Sequence, residues 1–267
     1  MRRIERTFER LRAEKRTGLI TYTTAGDPDL PRSGDVLCAL DRAGADVLEV
    51  GVPFSDPLAD GPVIQRASER ALAAGASLRE ALALVERLRP RISAPIVLFS
   101  YANPLFRLGI DRFAARAAAA GVDGVLALDL PIEEADAFRA TLRGAGLDTI
   151  FLLSPTTTEE RIRKAGQLGS GFLYGISRAG VTGARDRVAS GAEAMVRRIR
   201  AHTTLPIALG FGISRPEHVV EIGAYADAAV VGSALVSVVA EHGRSPELTA
   251  KVGEYVRWLK SGAYADA

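Results

Sequence analysis

Eight short apolar runs, each bounded by Gly, Pro or Asp, recur at residues 19–25, 47–52, 96–101, 124–128, 149–153, 171–176, 207–210 and 228–231. None alternates cleanly between apolar and polar residues, which predicts parallel strands buried on both faces. Segments of helical period lie between them, among them 112–120, 133–143, 159–168 and 192–201, and a further helix is predicted around 3–14, ahead of the first strand. Ala-Gly-Ala-Asp at 43–46 and Ala-Gly-Val-Asp at 120–123 each close a helix with glycine and open the next strand. Eight strand–helix units in a chain of 267 residues fit the ~250 residues typical of a (β/α)8 barrel. A doubly wound open sheet is the alternative, but it usually has fewer strands and a G-x-G-x-x-G turn after the first. Here the first strand runs into Thr24-Ala-Gly-Asp-Pro28. The reading is an α/β chain, a single-domain (β/α)8 TIM barrel over residues 1–267 with an extra N-terminal helix.

Composition removes several classes of function. The longest charge-free run, 92–106, has 15 residues and is interrupted by Pro95, Asn103 and Pro104. A bilayer span needs ~20 apolar residues, so no membrane segment is predicted. Met1-Arg2-Arg3 leads into charged sequence without an apolar stretch, so no secretory signal is expected. The single cysteine, Cys38, lies among Val36, Leu37 and Leu40 and reads as a small buried hydrophobe. With no second thiol to pair with it, the expected compartment is the cytoplasm. Lys and Arg number 34 against 32 Asp and Glu, for a net charge of +2. The two signs are interleaved with no basic stripe, so no nucleic-acid partner is expected.

In a barrel of this kind chemistry sits at the C-terminal ends of the strands. Two of the loops there are long, 53–62 after the second strand and 177–191 after the sixth. In the second strand, period two places Val47, Glu49 and Gly51 on one face and Leu48, Val50 and Val52 on the other. The all-apolar face suits packing against helices, which turns Glu49 into the barrel. A carboxyl there is either a proton-transfer group with a raised pKa or one half of an interior ion pair with an arginine. Asp56 and Asp60 follow in the loop; each alone is ordinary turn chemistry, with Pro62 starting a helix. Their place directly after the strand of Glu49 gives them functional weight. Gly210-Phe-Gly-Ile-Ser214 and Gly232-Ser233 follow the last two strands, where barrels commonly bind phosphate on backbone N–H groups. Ser177-Arg-Ala-Gly-Val-Thr-Gly183 suits either a lid over a phosphorylated substrate or a plain solvated connection.

None of the four lysines, Lys15, Lys164, Lys251 and Lys260, falls in or directly after a strand, which argues against a Schiff-base aldolase. His202, His218 and His242 lack ligand spacing, so no metal site is expected, and all three read as surface or helix-end residues. What remains is acid–base chemistry by carboxylates on a phosphorylated substrate.

Glu49-Val-Gly-Val-Pro-Phe-Ser-Asp-Pro-Leu-Ala-Asp-Gly-Pro-Val-Ile-Gln65 resembles the signature of the tryptophan synthase α chain family. The resemblance continues through Thr24-Ala-Gly-Asp-Pro28, Tyr101-Ala-Asn-Pro104, Ser177-Arg-Ala-Gly-Val-Thr-Gly183, Gly210-Phe-Gly-Ile-Ser214 and Gly232-Ser-Ala234. It implies a lyase of tryptophan biosynthesis that cleaves indole-3-glycerol phosphate to indole and glyceraldehyde 3-phosphate by a retro-aldol reaction. It implies Glu49 and Asp60 as catalytic residues. Tyr22, Tyr101, Leu126, Leu152, Tyr174 and Phe211 would line the indole pocket. The phosphate would be held at Gly183, Gly212, Gly232 and Ser233, with Thr182 ordering the lid. It implies no metal and no cofactor in this chain. The partner it implies is a β chain carrying pyridoxal phosphate, met through Asp56 and Pro57 in a heterotetramer of two α and two β chains. Tyr22 stands where such chains often have Phe, and Leu128 where the residue is frequently smaller. Two further readings stay open: a chain whose main task is to activate a β chain, and a phosphate-binding barrel acting on another sugar phosphate.

Overall fold

The sheet closes by breaking one of its own strands. In the computed structural model, which describes residues 1–176, 191–210 and 212–261, the strand segments are β1 (Gly18–Thr24), β2 (Val47–Gly51), β3 (Ile96–Ser100), β4 (Gly124–Ala127), β5 (Asp148–Thr149), β6 (Phe151–Leu153), β7 (Leu173–Ile176), β8 (Ile207–Gly210) and β9 (Ala228–Val231). They pair in the order β5-β4-β3-β2-β1-β9-β8-β7-β6, with every pairing parallel. The two ends of that order, β5 and β6, are halves of one extended segment joined through Ile150. The first half pairs with β4 and the second with β7, while the Ile150 N–H donates to Val125 O at 2.9 Å. The eight apolar runs therefore give eight strands around one barrel.

The helices are α1 (Arg3–Ala13), α2 (Leu30–Arg42), α3 (Pro62–Ala73), α4 (Leu78–Leu88), α5 (Ala102–Leu108), α6 (Ile110–Ala120), α7 (Ala135–Gly144), α8 (Glu159–Leu168), α9 (Ala192–Arg200), α10 (Pro216–Gly223), α11 (Ser233–His242) and α12 (Leu248–Ser261). Among the described residues no helix is long and apolar enough to cross a membrane. Period two decides what each strand residue touches. Leu48, Val50 and Val52 join the layer between sheet and helices, whereas Val47 packs inside with Ile20, Val97, Leu126, Ile150 and Phe172. The extra helix α1 closes the bottom of this interior. Ile4, Phe8 and Leu11 recur at helical spacing on one face and join the same inner cluster, with the Phe8 and Phe172 rings 5.6 Å apart.

Acidic residues at the bottom of the barrel are all tied down. Asp46, Asp123 and Asp227 each accept the N–H of a neighbouring strand's residue, Leu19 at 3.0 Å, Ile96 at 2.8 Å and Ile207 at 2.8 Å. Each is also paired with arginine: Asp46 with Arg16 at 2.9 Å, Asp123 with Arg3 at 2.9 Å, and Asp227 with Arg200. A carboxylate so held works for the fold, as residues at this face of a barrel do. Of the two readings of His218, surface or helix-end residue, the structure gives the second: it lies in the first turn of α10. It is only 4% exposed, and its ring Nδ1 accepts the Ser214 N–H at 3.2 Å, which locks the entry to α10.

Candidate active site

Glu49 is the third residue of β2, with Tyr22 and Val97 as its neighbours across the ladder. It points inward, as the period of the strand requires. It is 1% exposed, and neither carboxyl oxygen has a hydrogen-bond partner among the described residues. Burial alone pushes its pKa up to about 8, because a charge in a low-dielectric interior is costly without compensation. The acids of the barrel floor have their arginines, whereas among the described residues none pairs with Glu49.

Two tyrosines lie across the inner wall beside it, and two glycines make room for them. A Cβ on Gly51 would sit 2.2 Å from the Tyr22 hydroxyl, and one on Gly210 would sit 2.4 Å from the Tyr174 hydroxyl. No other residue fits at either position while the rings stay in place. Burial raises the pKa of both phenols, and the nearby Glu49 charge adds to it. The Tyr22 ring also meets Phe99 edge-on at 5.3 Å, a neighbour the sequence did not single out.

The loop after β2 folds its second carboxylate back over the rim. The Asp60 N–H donates to Pro57 O at 3.0 Å, forming a turn. The Gln65 side-chain amide donates to Asp60 O at 2.9 Å and to Pro57 O at 3.3 Å. Gln65 lies one turn into α3, where a side chain leans over the preceding turn, so its helical position was the available signal for this clamp. The Tyr101 hydroxyl donates to Asp60 Oδ2 at 3.1 Å and accepts the Ala59 N–H at 3.0 Å. Phe54 stacks on the Tyr101 ring at 5.0 Å. Burial pushes Asp60 up to about 6, against the lowering effect of the Tyr101 hydrogen bond. Asp56 stays outside, accepting the Ser55 hydroxyl at 2.5 Å, and Leu58 beside Pro57 is 86% exposed.

Tyr101→Phe removes the only hydroxyl bonded to the Asp60 carboxylate among the described residues. A hydrogen bond to a charged group contributes about 1.5–3 kcal/mol, so we expect a fall in kcat/KM of roughly ten- to a hundredfold. The acidic limb of the pH–rate profile should also move upward. An unmoved limb would show that Tyr101 does not set the state of Asp60.

The remaining site candidates gather at the ends of the last strands. Gly210 and Val230 are register partners, which brings the turns after β8 and β9 side by side. Gly212 adopts φ 85°, a left-handed conformation that glycine takes without strain. Gly232 caps α11 and Ser233 is its first residue, so the free N–H groups of that helix open at the rim. Leu126 is fully buried in the inner cluster, while Leu152 is half-buried. Leu128 packs half-buried against that cluster. Thr182, Gly183 and Phe211 lie outside the described residues. Among the described residues no three His, Cys, Asp or Glu side chains are grouped to hold a metal ion.

A closed parallel barrel with two desolvated carboxyls at the C-terminal rim and glycine turns after its last two strands defines a (β/α)8 enzyme. Residues 8–263 match the family model described as tryptophan synthase alpha chain. The tryptophan synthase alpha chain of Geotalea uraniireducens is 51% identical over 265 residues, covering 99% of each chain. That of Solibacter usitatus is 46% identical over 267 residues, covering 100% of each. The crystal structure of tryptophan synthase subunit alpha from Legionella pneumophila superposes with a TM-score of 0.91 at 37% identity, covering 98% of both chains. The chain belongs to the tryptophan synthase alpha chain family. It is a carbon–carbon lyase, and its reaction is the retro-aldol cleavage of indole-3-glycerol phosphate to indole and glyceraldehyde 3-phosphate.

Proposed function

We propose that Glu49 moves the proton in this cleavage while the indole ring takes up the electrons. Protonated Glu49 delivers its proton to C3 of the indole, giving an iminium-like ring. The carboxylate left behind removes the proton of the glycerol hydroxyl beside the scissile bond. That C–C bond breaks, its electron pair returns to the ring, and Glu49 is again protonated. Asp60, ionised, accepts the indole N–H and stabilises the positive ring. Tyr22, Tyr101, Leu126, Leu152, Tyr174 and Phe211 line the indole pocket. Gly183, Gly212, Gly232 and Ser233 hold the phosphate, and Thr182 orders the lid. The observation that carries the reading is the buried carboxyl of Glu49, without a hydrogen-bond partner among the described residues and held near a pKa of 8.

The mechanism asks for no metal or cofactor in this chain, whose 1–267 acts as one domain. The partner is a β chain carrying pyridoxal phosphate, docked through Asp56 and Pro57 in a heterotetramer of two α and two β chains in the cytoplasm. Relatives of similar sequence include a solved tryptophan synthase from Mycobacterium tuberculosis, 38% identical with a TM-score of 0.91.

The required protonation states set the pH profile. Asp60 must be ionised, so kcat/KM should rise with pH through about 6; Glu49 must be protonated, so it should fall again through about 8. Indole release measured across this range should trace a bell. A flat profile would contradict the assignment of both groups.

A further inference from the structure

Outside the site just described, four arginines from three helices converge on one open cleft of about 510 Å3. Arg79 comes from α4, Arg107 from α5, and Arg112 and Arg116 from α6, with Ser77, Leu78, Pro104 and Leu108 completing the walls. Among the described residues no side-chain hydrogen bond or close ion pair is formed by Arg107, Arg112 or Arg116, the Arg79 guanidinium lies 3.6 Å from Glu80, and the Arg116 charge also acts on that glutamate. The acids nearby are Glu80, bonded to the Ser77 hydroxyl, and Asp111, which accepts the Thr141 hydroxyl at 3.2 Å. Arg79 and Arg112 stand in the first turns of α4 and α6, where the helix dipole disfavours a cation. Among the described residues Glu80 offsets part of this crowding, facing the charges of Arg79 and Arg116, but four guanidinium groups exceed it and a bound anion would balance the remainder.

We propose that this cleft is a docking site for an acidic segment of the partner chain. The inference rests on the β-chain reading above and adds the chemistry of the contact. An acidic segment fits better than a small anion, because the arginines are spread along an open cleft. A small-molecule site would instead enclose its ligand in a concave, mostly apolar pocket with a few fixed polar groups. The helix that carries Arg107 also carries Phe106, 51% exposed, and its N-cap Tyr101 accepts the Ala59 N–H of the loop that bears Asp56, Pro57 and Leu58. Guanidinium forks bind carboxylates bidentately and speed encounter through long-range attraction.

The test is calorimetric titration of the chain with its cognate β chain at low and high salt. The wild type should bind, and more weakly at high salt. The triple variant Arg107→Glu, Arg112→Glu, Arg116→Glu should bind at least tenfold more weakly at low salt and lose most of the salt dependence. Indole release by the variant alone should be unchanged, which also reports that it folds. Lysine at the same three positions should retain most of the affinity. Wild-type affinity and salt dependence in the charge-reversed variant would overturn the docking site while leaving the partner reading intact. Failure of the wild type to bind the β chain at either salt would overturn both. Saturable binding of inorganic pyrophosphate, lost in the variant without change in β-chain affinity, would give the cleft to a free anion and overturn the proposal.

Discussion

Glu49→Gln is expected to lower indole release by about 10³-fold, within the 10²–10⁴ that a positioned acid or base contributes. The substitution keeps shape and volume but leaves no proton to give to C3 and no carboxylate to receive one. Binding of a non-cleavable indole phosphate analogue should be nearly unchanged, which separates chemistry from recognition. Stability should move the opposite way. The folded state holds a proton that an ordinary glutamate releases near 4.5 and Glu49 releases only near 8. Folding stability of the wild type therefore falls as pH climbs through that window and levels off above it. The amide variant carries no such ionisation and should unfold at higher denaturant than the wild type above pH 8. Activity within a few-fold of wild type would remove Glu49 from the mechanism.

The second large effect is expected at Asp60. Asp60→Asn can still accept the Tyr101 hydrogen bond, so the loop geometry held by Tyr101 and Gln65 should persist. It cannot carry the negative charge that balances a cationic ring. Loss of one preorganised electrostatic partner costs about 10²–10³ in rate, and the acidic limb near 6 should disappear with the group that produces it. A variant that keeps that limb, or loses less than about threefold in kcat, would place the charge stabilisation elsewhere.

Much of this was legible in the chain because the same period governs packing and chemistry. Val47, Glu49 and Gly51 share a face in the sequence and share the barrel interior in the fold. The floor acids were less readable. In the sequence Asp46 and Asp123 read only as strand openings, yet each bridges an arginine and a neighbouring strand's backbone. Those links span tens of residues, and no local pattern carries them. The break at Ile150 is invisible for the same reason: it answers to both β4 and β7. The helix α5 leaves little periodic signal, because it has seven residues and contains Pro104. α12 followed the last strand–helix unit, where no strand called for it. Arg79, Arg107, Arg112 and Arg116 are spread over 38 positions and form no stripe in the sequence. Folding alone brings them to one cleft. Thr182, Gly183 and Phe211 rest on the resemblance carried by the motifs around them.

The most direct measurement is the protonation state of Glu49 itself, read from its carboxyl C=O stretch in infrared difference spectra against Glu49→Gln. A neutral-acid band that persists at pH 7 and vanishes with a midpoint of about 8 is the expected result. A carboxylate already ionised near the ordinary value of 4.5 would contradict it, since an acid with no proton at working pH cannot begin the cleavage.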